Sequence, residues 1–381
     1  VAYFDAASAE PIVPAARQAL LAALDDGWAD PIRLHREGRR AALLLDQARE
    51  QAAAVLACRT DEVSFTSSGT AAAHLAVLGA ALARRSPARG AGHVVASAVE
   101  HSSVLNAVAS LEDAGTRVTL VGVDRDGRVD LEEFAAAVRE DRTVLACLQS
   151  ANHEIGTIQP MDTAAEACLA ARVPLFVDAA ASAGRLPLAD GWSLLAASGH
   201  KFGGPPGVGL LAAKKGVRWK SPLPADSREG RRVPGFPNLP AIAAAAAALE
   251  AAAAGRAAAD AELRALTDLI RDRLPGLVPD TVVHGNRELS LPHIVTFSCL
   301  YVDGEALVTE LDRAGFSVSS GSACASETAQ PSHVLAAMGA LTHGNVRVSL
   351  PEGATRESVE EFLAVLPDIV SGLRESVGHW T

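Results

Sequence analysis

Two periods alternate along the chain. Over residues 40–56, apolar positions return every third or fourth residue, the spacing of a helix with one buried face. Residues 62–66 form a short apolar run that predicts a strand; it ends in Ser67-Ser68-Gly69-Thr70, and an alanine-rich helical stretch follows. The exchange then repeats, with strands predicted at 93–96, 117–121, 143–148, 173–177 and 194–197, and helices at 101–112, 131–138 and 163–170. Alternation of this kind predicts an α/β fold with a large, mostly parallel sheet covered by helices. In such sheets ligands collect beyond the carboxyl ends of the strands.

The texture changes after about residue 240. A long helix is predicted over 241–273, followed by shorter segments at 293–298, 304–314, 317–320, 332–338 and 345–349 that read as a smaller α/β domain. A chain of 381 residues is too long for one ordinary core, so two domains are expected. The predicted division places 13–245 in the large domain, and 1–12 with 246–381 in the small one.

Composition narrows the classes. The formal charge of −11 is spread along the chain, which argues against direct binding of nucleic acid, where clustered Lys and Arg are needed. The alanine tract over 243–254 is divided by Leu249-Glu250, so no membrane span is expected. No basic segment followed by an apolar stretch opens the sequence, and no secretory signal is read there. Cysteines stand at 58, 147, 168, 299 and 324, an odd number without a Cys-x-x-Cys pair. Neither a disulfide framework nor a metal site is suggested, and a reducing cytoplasm is the expected compartment.

Candidate chemistry centres on lysine, of which the chain has only four: 201, 214, 215 and 220. The last three fall in one polar turn. Lys201 follows an apolar strand in Ser198-Gly199-His200-Lys201-Phe202-Gly203-Gly204. Held at a strand end, a lysine can be desolvated and made nucleophilic toward an aldehyde; the plainer reading is a surface lysine beside a tight turn. Asp178 closes the strand at 173–177. A carboxylate there can sit against the ring nitrogen of pyridoxal phosphate (PLP) and keep it protonated, or it can simply cap a helix. Ser67-Ser68-Gly69-Thr70, between strand and helix, has the form of a phosphate cradle and equally of an ordinary cap, with Ser198 and His200 as further donors. His101 opens a helix, where it can stack on a cofactor ring or serve as a cap. Cys324 lies among small residues, Ser319-Ser320-Gly321-Ser322-Ala323-Cys324, a setting that suits a thiol carrying a group in and out of a site. Arg347, in the strand 345–349, is either a carboxylate clamp or one half of a structural ion pair.

In their order, Ser198-Gly199-His200-Lys201, Asn152-His153-Glu154-Ile155-Gly156, Val177-Asp178-Ala179 and Ser319-Ser320-Gly321-Ser322-Ala323-Cys324 resemble the cysteine desulfurases. That family lies in the class V aminotransferase branch of fold-type I PLP enzymes. The spacing from Cys324 to Pro331-Ser332-His333 is similar to its long-loop subgroup. The resemblance implies that Lys201 holds PLP, Asp178 meets the pyridine nitrogen, and His101 stacks on the ring. Gly69, Thr70, Ser198 and His200 would bind phosphate, and Arg347 the carboxylate of L-cysteine. Cys324 would take the sulfur for a sulfur-acceptor protein, and the molecule would be a homodimer. A C–S or selenocysteine lyase and a weakened sulfur-transfer scaffold are the alternatives. Four positions depart from the family pattern. His153 stands for the Asn that bonds the phenolic oxygen, with a titration near neutrality expected of it. Ala181 stands for a Gln, Phe236 for a Thr that reaches a neighbouring subunit, and Asp30 for an Asn that helps hold the substrate.

Overall fold

The structure, a computed structural model, describes residues 1–84, 92–224, 226–320, 331–376 and 378. Its strands in chain order are β1 (Ala2–Tyr3), β2 (Val63–Thr66), β3 (His93–Ser97), β4 (Arg117–Val121), β5 (Thr143–Gln149), β6 (Leu175–Asp178), β7 (Leu194–Ser198), β8 (Gly209–Ala213), β9 (Thr281–His284), β10 (Ile294–Cys299), β11 (Phe316–Ser317) and β12 (Asn345–Ser349). The helices are α1 (Pro14–Asp26), α2 (Arg36–Val55), α3 (Gly69–Arg84), α4 (Ser102–Asp113), α5 (Leu131–Val138), α6 (Met161–Ala171), α7 (Leu239–Leu277), α8 (Gly304–Arg313), α9 (His333–Ala337) and α10 (Arg356–Ser376).

Seven strands form the large sheet in the order β2-β8-β7-β6-β5-β3-β4. Only β8 runs against the others, pairing antiparallel with both β2 and β7. The central strands β3, β5, β6 and β7 are buried along their whole length, as expected of strands covered on both faces. Two apolar clusters fill the two sides of this sheet, one against α2 and the start of α7, the other against α3 and α4.

A second core gathers Phe4, Leu263, Ile270, Phe297, Val346 and Phe362 around the antiparallel sheet β12-β10-β9. The N-terminal strand β1 pairs in parallel with β11, which brings Phe4 into this core. Helix α7, 39 residues long, serves both: Leu239 to Leu249 pack in the first core, Leu263 to Leu274 in the second. The division placed at 245 therefore falls inside α7. By length and composition α7 is also apolar enough to cross a bilayer, contrary to the expectation from its interrupted alanines. Its apolar residues are instead used in the two cores, as in any core helix.

Candidate active site

The carboxyl ends of β5, β6 and β7 open onto one cavity of about 310 Å³. Lys201, Asp178, His101, His153, Arg347, Gly69, Thr70, Ser198 and His200 all line it, from segments far apart in the chain. The structure thus collects all but two of the site residues expected from sequence. Cys324 lies outside the described residues. Asp30 does not line the cavity: its carboxylate meets Arg228 at 3.0 Å and accepts from the amide of Ile32 at 3.2 Å. The expectation that it holds substrate is corrected accordingly, because Arg228 already neutralises it.

Lys201 ends a short 3-10 turn, Gly199–Lys201, at the end of β7. This turn is backed by α7. A Cβ on Gly204 would come within 3.0 Å of the Ala245 Cα, so the close approach depends on glycine. Arg185 donates to the Lys201 carbonyl at 3.4 Å and pairs with buried Glu10 at 2.6 Å, fixing the turn from the other side. Asp178 is the last residue of β6 and is buried. No helix follows it: its Oδ1 accepts from the Ala180 amide at 2.9 Å in a local turn, so the helix-cap reading does not hold.

At α3, Ser68 takes the amides of Ala71 and Ala72 through its Oγ and carbonyl. The first amides of a helix have no intrahelical acceptor, so those of Gly69 and Thr70 are left to the cavity wall. Glycine is required there: a Cβ on Gly69 would meet the Ser198 Cβ at 2.8 Å. Ser198 Oγ lies 3.2 Å from His200 Nδ1, which groups two further donors beside this helix end. A helix start whose first amides stay free, beside a hydroxyl and an imidazole, suits a phosphate. With a lysine and a buried carboxylate across the same cavity, the donor set fits PLP.

His101 takes the capping role that its sequence position allowed. It is the N-cap of α4, its Nδ1 accepting the Ser103 amide at 3.1 Å, and it lines the cavity. Because Nδ1 is an acceptor, the neutral ring carries its proton on Nε2. Burial, and then the charge of Lys201, lower its pKa to about 4. The His153 ring packs edge-on against it, with centroids 4.8 Å apart, and His333 stacks on the far side of His153 at 6.5 Å. Burial holds His153 well below the usual imidazole range, reinforced by His101, Lys201 and Arg347. That direction runs against the neutral-pH titration expected of His153.

Arg347 is both cavity wall and ion-pair partner. Its Nη2 meets Asp5 at 2.8 Å and Ser8 Oγ at 2.6 Å, and its Nη1 donates to the His153 carbonyl at 2.8 Å. Gln149, Ser103 and Ser8 also line the cavity and were not foreseen. Gln149 and Ser103 flank motifs that were read, whereas Ser8 arrives from 339 positions away, beyond any local pattern. Glu100, beside His101 in sequence, is fully buried, and burial raises its carboxyl well above the usual range.

This sheet, with a lysine, an aspartate and a phosphate cradle at its carboxyl edge, defines the fold-type I PLP enzymes. The class-V aminotransferase model matches residues 2–362. The cysteine desulfurase IscS of Dictyoglomus turgidum is 34% identical over 98% of this chain and 95% of its own length. The cysteine desulfurase IscS 1 of Archaeoglobus fulgidus is 35% identical over 98% of this chain and 97% of its own. A solved NifS-like protein superposes with a TM-score of 0.90 at 28% identity, covering 98% of this chain and 100% of that one. The chain belongs to the class-V aminotransferase family.

Proposed function

We propose that this protein is a PLP-dependent cysteine desulfurase, acting as a cytoplasmic homodimer, which converts L-cysteine to L-alanine and passes the sulfur from Cys324 to an acceptor protein. The observation that carries this reading is the meeting of Lys201, Asp178, His101 and Arg347 around one cavity with the α3 phosphate cradle. PLP, when bound, supplies the electron sink for breaking the substrate's carbon–sulfur bond. The Lys201 amine would hold the cofactor through its aldehyde and would be placed to move the proton at the substrate Cα. Asp178 would keep the pyridine nitrogen protonated, and His153 would donate to the phenolic oxygen. Arg347 orients the substrate carboxylate, and the Cys324 thiolate takes the sulfur as a persulfide.

The other thiols support Cys324 as the acceptor. Cys147, Cys168 and Cys299 are buried, and burial raises all three, Cys168 to about 12; half-buried Cys58 is raised to about 11. A thiol held protonated is a poor nucleophile. The homodimer is supported by apolar surface near the Asp30–Arg228 pair, where Trp28, Ile32, Leu34 and Phe236 are exposed.

The test is Cys324→Ser. It should bind PLP and cysteine as the parent does, yet form no persulfide and release no sulfide. Sulfide release at the parent rate would point to a lyase instead. Light scattering on the PLP-loaded protein should give twice the chain mass, and a fully active monomer would exclude the dimer.

A further inference from the structure

A second cavity, of about 400 Å³, lies behind the first. The two share a wall. Successive side chains of a strand face opposite sides: Gln149 and Asp178 line the first cavity, whereas their neighbours Ser150 and Val177 line the second. The second cavity is apolar along Ile158, Leu188 and Trp192. Its one cation is Arg128, in the short turn between the bridged residues Val123 and Val129. The Nε of Arg128 is buried without a hydrogen-bond partner, and its guanidinium forms no ion pair among the described residues. The acids of the cavity, Asp162 and Asp190, are both solvent-exposed.

The Nε is shut off from the cavity as well as from water, so a ligand carboxylate would meet the rest of the guanidinium, which pairs with no carboxylate among the described residues. Its volume is in the range of small-molecule sites, and its walls ask for an apolar body. We propose that this cavity binds a small amphiphilic monocarboxylate, with its carboxylate on Arg128 and its hydrocarbon part against Ile158, Leu188 and Trp192. An occupant would press on the reverse side of the two strand ends that present Gln149 and Asp178, so the site would be felt by the first cavity without opening into it.

The probe is octanoate, followed by calorimetry and by Trp192 fluorescence on the PLP-loaded full chain. Octanoate should bind at least about tenfold more tightly than octanol, since hydrogen bonds to a charged partner are the stronger kind. Arg128→Gln should remove that preference while binding octanol and PLP as before, and Arg128→Lys should restore part of it. Equal affinity for octanoate and octanol, or an unchanged octanoate affinity in Arg128→Gln, would overturn the proposal. So would octanoate binding only to the PLP-free protein, because that would place it in the first cavity on Arg347 or Lys201.

Discussion

At the scale of residues, the site rests on side chains with more than one obligation. Arg347 binds Asp5, Ser8 and the His153 carbonyl, so its loss should cost stability as well as substrate binding. Arg347→Ala is expected to lower the unfolding free energy by about 3 kcal/mol, as for breaking a buried ion pair, measured by urea denaturation without PLP. A loss confined to the KM for cysteine would mean that the Asp5 pair contributes nothing to the fold. For His153 the expected result is an absence. Titrations of the bound cofactor's absorption in the parent and in His153→Asn should agree between pH 6 and 8, because burial keeps this imidazole neutral. A step near pH 6.5 found only in the parent would mean that His153 is protonated after all. Lys201 and Asp178 were legible because Asp178 closes one apolar strand and Lys201 follows the end of the next. The Asp5–Arg347 contact was not, since it joins residues 342 positions apart.

At the scale of elements, glycines set how near the loops come to one another. A Cβ on Gly209 would lie 2.1 Å from the Ser68 carbonyl oxygen, the same atom that receives the Ala72 amide at the head of α3. Gly209→Ala should displace the α3 start and weaken PLP affinity by about tenfold or more, while leaving far-UV dichroism nearly unchanged. An unaltered PLP titration would show that the cradle tolerates the shift. The strands of the large sheet were readable as short apolar runs, and α5 matched its predicted bounds. Others escaped for physical reasons. Helix α1 buries Ala16 and Ala23 and exposes Leu21 and Leu24, the reverse of the pattern that betrays a helix. Strand β8 has only five residues after a Gly-Pro loop, and α10 carries Pro367, which reads as a break. The segment read at 317–320 forms only the two-residue β11 against Ala2 and Tyr3, after which Ser319 makes an isolated bridge to Arg347.

For the whole molecule, buried histidines should govern the response to acid. His93, His101, His153, His200, His284 and His293 are all lowered, each chiefly by burial, with His101 and His284 near 4. The unfolded chain takes protons at the ordinary imidazole value near 6.5, before the folded one does. Stability is thus complete above that pH and falls as the pH drops toward about 4. Glu100, Glu154 and Asp260, all raised by burial, oppose this, but they are three groups against six. The unfolding midpoint in urea should decline steadily from pH 6.5 to 4, and a flat profile would contradict the neutral state of these rings. The two-core plan was visible as a change of texture near residue 240. That one helix would serve both cores was not, because alanine is apolar enough for either and specific to neither.

The pairing of β1 with β11, and the place of Phe4 among Phe316 and Phe362, has a consequence for how the chain is made. A protein leaves the ribosome from its amino end at about 5–20 residues per second. Strands β2 to β8 can assemble while the rest is still being translated, since every partner of theirs is already outside. Residues 1–4 cannot settle when they emerge, because Phe4 must wait for Phe316 and Phe362. Strand β1 thus finds its place only after strands made much later than itself, and the second core closes only once Phe362 has been made.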